Sequence, residues 1–117
     1  MVKSIKNAMA RSILRLKKEP TLRDIQTYVK QLEEERGFSK EPTLQKCLLL
    51  GEEIGELFKA IRKSEKVKID KKSKVTSVEE ELADILIYIS AIANRYNIDL
   101  EQAFRDKEEI NKKRTWE

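Results

Sequence analysis

Two acidic runs carry the residues best suited to chemistry: Gly51-Glu52-Glu53-Ile54-Gly55-Glu56-Leu57 and Glu79-Glu80-Glu81-Leu82-Ala83-Asp84-Ile85. Glu53 and Glu56 stand three residues apart, as do Glu81 and Asp84, so on helices each pair projects from one face. Leu49 and Ala60 flank the first pair along its stripe, and Tyr88 and Ala91 follow the second. Such neighbours turn the acids toward a helix–helix interface. If the two helices pack antiparallel, four carboxylates converge, and anions in a partly dry site repel one another unless a cation joins them. An all-oxygen donor set is the preference of Mg2+, with Mn2+ as a substitute. Mg2+ in turn works with substrate phosphates, whose charge it neutralises, and lowers the pKa of a bound water.

The chain has 21 acids in 117 residues, so some pairs at helical spacing are inevitable, and we assign Glu33, Glu34 and Glu35 to solvated surface. Gly51 and Gly55 favour a site at 52–56. In a helix interior each costs about 1 kcal/mol against Ala, and close approach of another backbone or of a ligand is the expected reason.

What is missing narrows the chemistry further. With no histidine, the chain has no imidazole base, no His-ligated zinc and no Glu-x-x-His pair for a di-iron centre. The single Cys47 excludes intrachain disulfides and cysteine metal clusters; ahead of a Leu triplet it reads as a small core hydrophobe. Apolar runs such as Cys47-Leu48-Leu49-Leu50 and Ile85-Leu86-Ile87-Tyr88-Ile89 are four and five residues, too short to span a membrane. The start, Met-Val-Lys-Ser-Ile-Lys, lacks a signal-peptide pattern, and a cytoplasmic location is expected. The net charge of +4 is uneven: residues 1–20 hold six cations against Glu19, and Arg62 to Lys74 holds seven against Glu65 and Asp70. No aromatic residue interleaves either run, so we read them as solubilising surface and expect no nucleic-acid partner.

The elements that must position the acids are helices. Residues 2–18 place Ile5, Met9, Ile13 and Leu16 at helical spacing, a basic amphipathic segment ended by Pro20. Thr21 caps a second helix with the stripe Leu22, Ile25, Val29 and Leu32, stopped by Gly37. A third opens at Pro42-Thr43 and carries Cys47, Leu50, Ile54, Leu57, Phe58 and Ile61 to about Arg62. The stretch 63–76 reads as a loop. Ser77-Val78-Glu79-Glu80 is a capping box opening a helix with Leu82, Ile85, Leu86, Ile89 and Ile92; Asp99-Leu100-Glu101-Gln102 repeats the device for a last helix to about Arg114. The expected fold is all-α, a bundle of four to five helices per chain. The helices of 47–61 and 82–92 are apolar over more than half their circumference, so completion by oligomerisation, as a dimer or tetramer, is expected.

The run Leu49-Leu50-Gly51-Glu52-Glu53-Ile54-Gly55-Glu56-Leu57, followed by Glu81-Leu82-Ala83-Asp84, resembles the EExxE…ExxD signature of MazG-like nucleotide pyrophosphohydrolases, in the all-α NTP pyrophosphatase superfamily. Tyr28-Val29 through Arg36-Gly37-Phe38 resembles the family's first helix and its Gly-aromatic stop. Asn97-Ile98-Asp99-Leu100-Glu101-Gln102-Ala103-Phe104, then Lys107, Asn111 and Arg114-Thr115-Trp116, resembles its last helix and tail. The resemblance covers residues 21–117 as one domain and leaves the basic segment 1–20 outside it. It implies Mg2+-dependent hydrolysis of a (d)NTP to the monophosphate and pyrophosphate, in nucleotide-pool house-cleaning. By motif position Glu53, Glu56, Glu81 and Asp84 would be the metal ligands, and Glu52 would bind a further ion or orient the attacking water. Lys107, Asn111 and Arg114 would contact phosphates, and Phe38 could stack on the base.

Two alternatives stay open. Phosphoribosyl-ATP hydrolysis is the same chemistry on another substrate; Tyr88 is followed by Ile89, where those enzymes carry histidine. The other is a non-catalytic helical module that dimerises or binds nucleic acid through residues 1–18 and 62–74. Steep salt dependence without a Mg2+ requirement would be its mark.

Overall fold

A computed structural model describes residues 12–72 and 74–116. Four helices occupy the described chain, α1 (Leu22–Arg36), α2 (Thr43–Ser64), α3 (Val78–Arg95) and α4 (Leu100–Lys112), and no strand occurs among the described residues. The all-α expectation therefore holds.

Local chemistry sets most boundaries. At Thr21 a reciprocal box joins the hydroxyl to the Asp24 amide and the Asp24 carboxylate to the Thr21 amide; Ser77 and Glu80 repeat it at α3. Asp99 caps α4 by accepting from the amides of Glu101 and Gln102, but the Gln102 side chain donates to Asp106 instead of reaching back, so the expected box is half formed. Three helices end in the same way. The amides of Phe38, Val67 and Ile98 donate to the carbonyls of Glu33, Arg62 and Ala93, five residues earlier. Each such wrap needs a left-handed residue, here Gly37, Lys66 and Asn97, at φ 78°, 57° and 53°.

Helices α2 and α3 make the main packing contact, α1 lies on α3, and α4 touches α1. The α2–α3 pair is antiparallel: Lys46 near the start of α2 meets Tyr88 late in α3, while Glu53 further along α2 meets Glu81 near the start of α3. The core is small, Val29, Leu32 and Ala91, with Leu14, Ile25, Tyr28 and Ile87 packed around it. A polar clasp lies beside it. Gln26 donates to Asn94 and to the Ile98 carbonyl and accepts from the Leu100 amide, while Asn94 donates to the Gln26 carbonyl. These bonds fix the α3–α4 turn on α1.

Three sequence expectations are corrected. Residues 12–20 form no helix; Leu14 packs on the core, while Ile13 is 87% exposed and Leu16 is exposed as well. The rest of the expected N-terminal helix, residues 1–11, lies outside the described residues. Cys47 is exposed, not core, because the face of α2 that meets its neighbours runs through Lys46 and Ala60. No atom outside its own helix backbone would meet a Cβ at Gly51 or Gly55, so no close approach within the chain explains either glycine.

Candidate active site

The antiparallel α2–α3 contact brings carboxylates together as their spacing requires. Oxygens of Glu53, Glu81 and Asp84 all lie within 4.8 Å of one another. Ala60 and Ala91, which flank the acids along their stripes, are buried, and Glu81 is buried, Glu53 half-buried and Asp84 exposed, so the cluster runs from the helix interface out to solvent. Glu81 is itself buried: one carboxylate oxygen accepts from the Thr76 hydroxyl, and the other has no partner among the described residues.

The electrostatics are those of crowded anions. The Glu53 carboxyl is pushed up to about 7, first by its hydrogen bond with Glu81, then by burial and by the charges of Glu81, Asp84 and Glu56. Glu81 is held below its ordinary value, because the Thr76 hydroxyl and then Glu53 donate to it. Burial, then the charges of Glu81 and Glu80, raises Asp84. Without a cation such crowding favours a proton on the cluster up to about neutral pH. An all-oxygen set with an orphaned buried oxygen and a shared proton fits a hard divalent cation, which would displace that proton.

The other sequence candidates are placed less centrally. Glu56 lies outside the three-residue cluster, with Lys59 3.6 Å from its carboxylate. Glu52 is exposed. Lys107 and Asn111 lie in the second half of α4, which has no buried residue, and Arg114 lies just past its end; no hydrogen bond or ion pair joins them to the acids among the described residues. The Arg114 guanidinium instead stacks 4.8 Å from the Trp116 ring centre.

Beside the acids lies a cavity of about 170 Å3, walled by Asp84 on one side and by Phe38, Tyr88, Glu33 and Lys46 on others. Its floor is a buried ion network that the sequence reading missed, having assigned Glu33 to solvated surface. Arg95 grips Glu33 through two bonds, at 2.8 and 3.0 Å, and also donates to the carbonyls of Ala91 and Phe38. Lys46 lies 3.3 Å from Glu33 and 3.0 Å from Glu41, its side chain only 4% exposed. Burial pushes the Glu33 carboxyl up, but the hydrogen bonds and charges of Arg95 and Lys46 outweigh it and hold the group below its ordinary value. The available signal was positional: Glu33 follows Val29 by one helical turn, and Lys46 precedes the half-buried Leu49 and Leu50 by one.

Known proteins are consistent with this geometry. dCTP pyrophosphatase 1 of Mus musculus is 33% identical over 105 residues, which cover 86% of this chain and 62% of that protein. The chain thus spans less than two thirds of that relative's length. The family model describing the MazG nucleotide pyrophosphohydrolase domain matches residues 39–115, a stretch holding α2, α3, α4 and all five motif acids. The chain belongs to the MazG nucleotide pyrophosphohydrolase domain family.

Proposed function

We propose that the protein hydrolyses nucleoside triphosphates to the monophosphate and pyrophosphate, with Mg2+ held by Glu53, Glu81 and Asp84. The observation that carries this reading is the convergence of those three carboxylates on a proton-sharing cluster beside a cavity. When bound, Mg2+ supplies charge neutralisation at the phosphates and acidifies water. In the reaction a water oxygen bonds to phosphorus, the α–β bridging oxygen leaves with pyrophosphate, and the water proton passes to a carboxylate. Thr76 holds Glu81 in its ionised form and in one orientation, the task of an outer-shell partner. Glu56 completes the ligand set by leaving Lys59, and Glu52 orients the attacking water. Phe38, 43% exposed at the cavity mouth, offers a face for the base. Lys107, Asn111 and Arg114 belong to this reading as phosphate contacts.

A second copy of the chain is part of the proposal. Leu44, Leu48, Gly51, Gly55 and Phe58 fall on one side of α2, and the three large residues are 60–71% exposed. Leu82, Leu86 and Ile89 make a comparable exposed stripe on α3. A packed helix covering the α2 side would meet no side chain at the glycines, which supports their role between chains and not within one.

The test is a nucleotide panel with Mg2+, covering the common NTPs and dNTPs, dUTP, oxidised and methylated bases, and phosphoribosyl-ATP. Pyrophosphate and orthophosphate are read separately. Pyrophosphate with monophosphate supports the proposal; orthophosphate alone, or no product with either Mg2+ or Mn2+, contradicts it.

A further inference from the structure

Phe38, the aromatic residue at the cavity mouth, lies in the connection between α1 and α2 and not on a helix. Its amide donates to the Glu33 carbonyl at 2.7 Å, and its carbonyl accepts from the Glu41 amide at 3.1 Å. Those bonds are local. They shape the connection without placing it against α3, the helix that carries Glu81 and Asp84.

Arg95 supplies that placement. From the last turn of α3 its Nη2 donates to the Phe38 carbonyl at 3.1 Å and to the Glu41 carbonyl at 3.3 Å, and its Nε donates to the Glu41 carbonyl at 3.4 Å. Among the described residues no other hydrogen bond joins residues 37–42 to α3. The rest of the guanidinium is taken by the two Glu33 oxygens and by the Ala91 carbonyl. A planar fork of five N–H groups thus ties α1, the connection and α3 at one point, which the three N–H groups of a lysine, all on one atom, could not do.

The Phe38 ring is seated on one side and open on the other. The Lys46 ammonium lies 4.9 Å from its centre, yet the residue is 43% exposed. Arg95 follows Asp84 by about three turns of α3, about 16 Å along the axis. One helix therefore carries the acids directly and, through Arg95, sets where the aromatic surface stands relative to them.

We infer that Arg95 is a positioning residue: by holding the carbonyls of Phe38 and Glu41 it keeps the Phe38 ring where a base stacks while the phosphates lie at the acids. The inference rests on the pyrophosphohydrolase reading and adds to it the group that fixes its base-binding surface.

The test is a double-mutant cycle of Phe38→Ala and Arg95→Lys, read on a nucleoside triphosphate and on ribose 5-triphosphate, which lacks the base. Arg95→Lys keeps the charge beside Glu33 and drops the bonds to the connection. Each single change raises KM for the nucleotide about tenfold, the worth of one stacked base, with kcat within about threefold. Neither change moves KM for ribose 5-triphosphate, and the double variant is no worse than Phe38→Ala alone, because Arg95 acts through Phe38. A second measurement needs no variant to fold. In nucleotide-free wild type the Phe38 and Glu41 amides exchange with solvent at least about tenfold more slowly than those of the exposed Asp70 and Lys71.

The inference is overturned by effects that multiply in the double variant, or by a nucleotide KM that either single change leaves alone. An Arg95→Lys loss equal on both substrates, or unprotected Phe38 and Glu41 amides, overturns it as well. If no nucleotide is turned over, the reaction reading fails by itself, and the same cycle measured as calorimetric dissociation constants with Mg2+ decides for or against Arg95.

Discussion

Glu53 on α2 and Glu81 on α3 bring carboxylate oxygens within 4.8 Å of each other across the helix interface, so that each raises the cost of the other's charge. The pair can hold one proton comfortably and two negative charges only at a cost, and the identity of the cation that relieves it, proton or metal, decides how the protein behaves with pH.

Because the folded Glu53 carboxyl sits at about 7, above its ordinary 4.5, the native state binds the extra proton more tightly than the unfolded chain. Its contribution is therefore full below about pH 4.5 and lost as pH rises through about 7. Metal-free protein should lose on the order of 1–2 kcal/mol from this group over that window, a drop of several degrees in Tm. Glu53→Gln should flatten the slope and melt higher than wild type at pH 8 without metal. Thermal melts from pH 5 to pH 8 in chelator check this, and a parallel fall in both proteins would assign the slope elsewhere.

Thr76 touches Glu81 through its hydroxyl. Thr76→Val keeps the shape and removes the donor, so Mg2+ or Mn2+ affinity measured by calorimetry should fall about tenfold, and the metal-free protein, with the buried Glu81 carboxylate left without that donor, should melt a few degrees lower. Unchanged affinity would remove Thr76 from the support of the site.

The ion network under the cavity should show strong coupling. Glu33→Leu leaves Arg95 with backbone carbonyls and Lys46 with Glu41 alone, two cations sharing one carboxylate fewer, and should cost about 3 kcal/mol of stability. Glu33→Leu combined with Lys46→Leu should cost less than the two changes summed, by about 1–3 kcal/mol, since each removes the other's uncompensated partner. Urea titrations of the cycle measure the difference.

Lys66 holds a left-handed backbone at φ 57°, where a residue with a side chain is disfavoured. Lys66→Gly should stabilise the turn after α2 by up to about 1 kcal/mol, an unusual sign for a change to glycine.

The helices were legible because their ends carry side-chain chemistry. Thr21, Gly37, Ser77 and Asp99 mark starts and stops that the structure reproduces, and the paired acids lie where three-residue spacing puts them. Rotation about the α2 axis was not legible. A helix apolar on most sides gives no sequence sign of which side meets its partner, so Lys46 went unnoticed while Cys47 was assigned to the core. Periodicity also misled at residues 12–18, where spacing suits a helix but the side chain that packs is Leu14, off the expected stripe. A short amphipathic helix is stable only when its face has something to pack against.

Metal-dependent hydrolysis at the acid cluster is read out by pyrophosphate release from a single preferred triphosphate, with Mg2+ and with chelator, in wild type and Glu53→Gln side by side. Wild type with Mg2+ should release pyrophosphate and monophosphate in equal amounts. Chelator should stop release, and folded Glu53→Gln should lose at least about a thousandfold. Release that survives chelation, or a Glu53→Gln variant as active as wild type, would contradict that assignment.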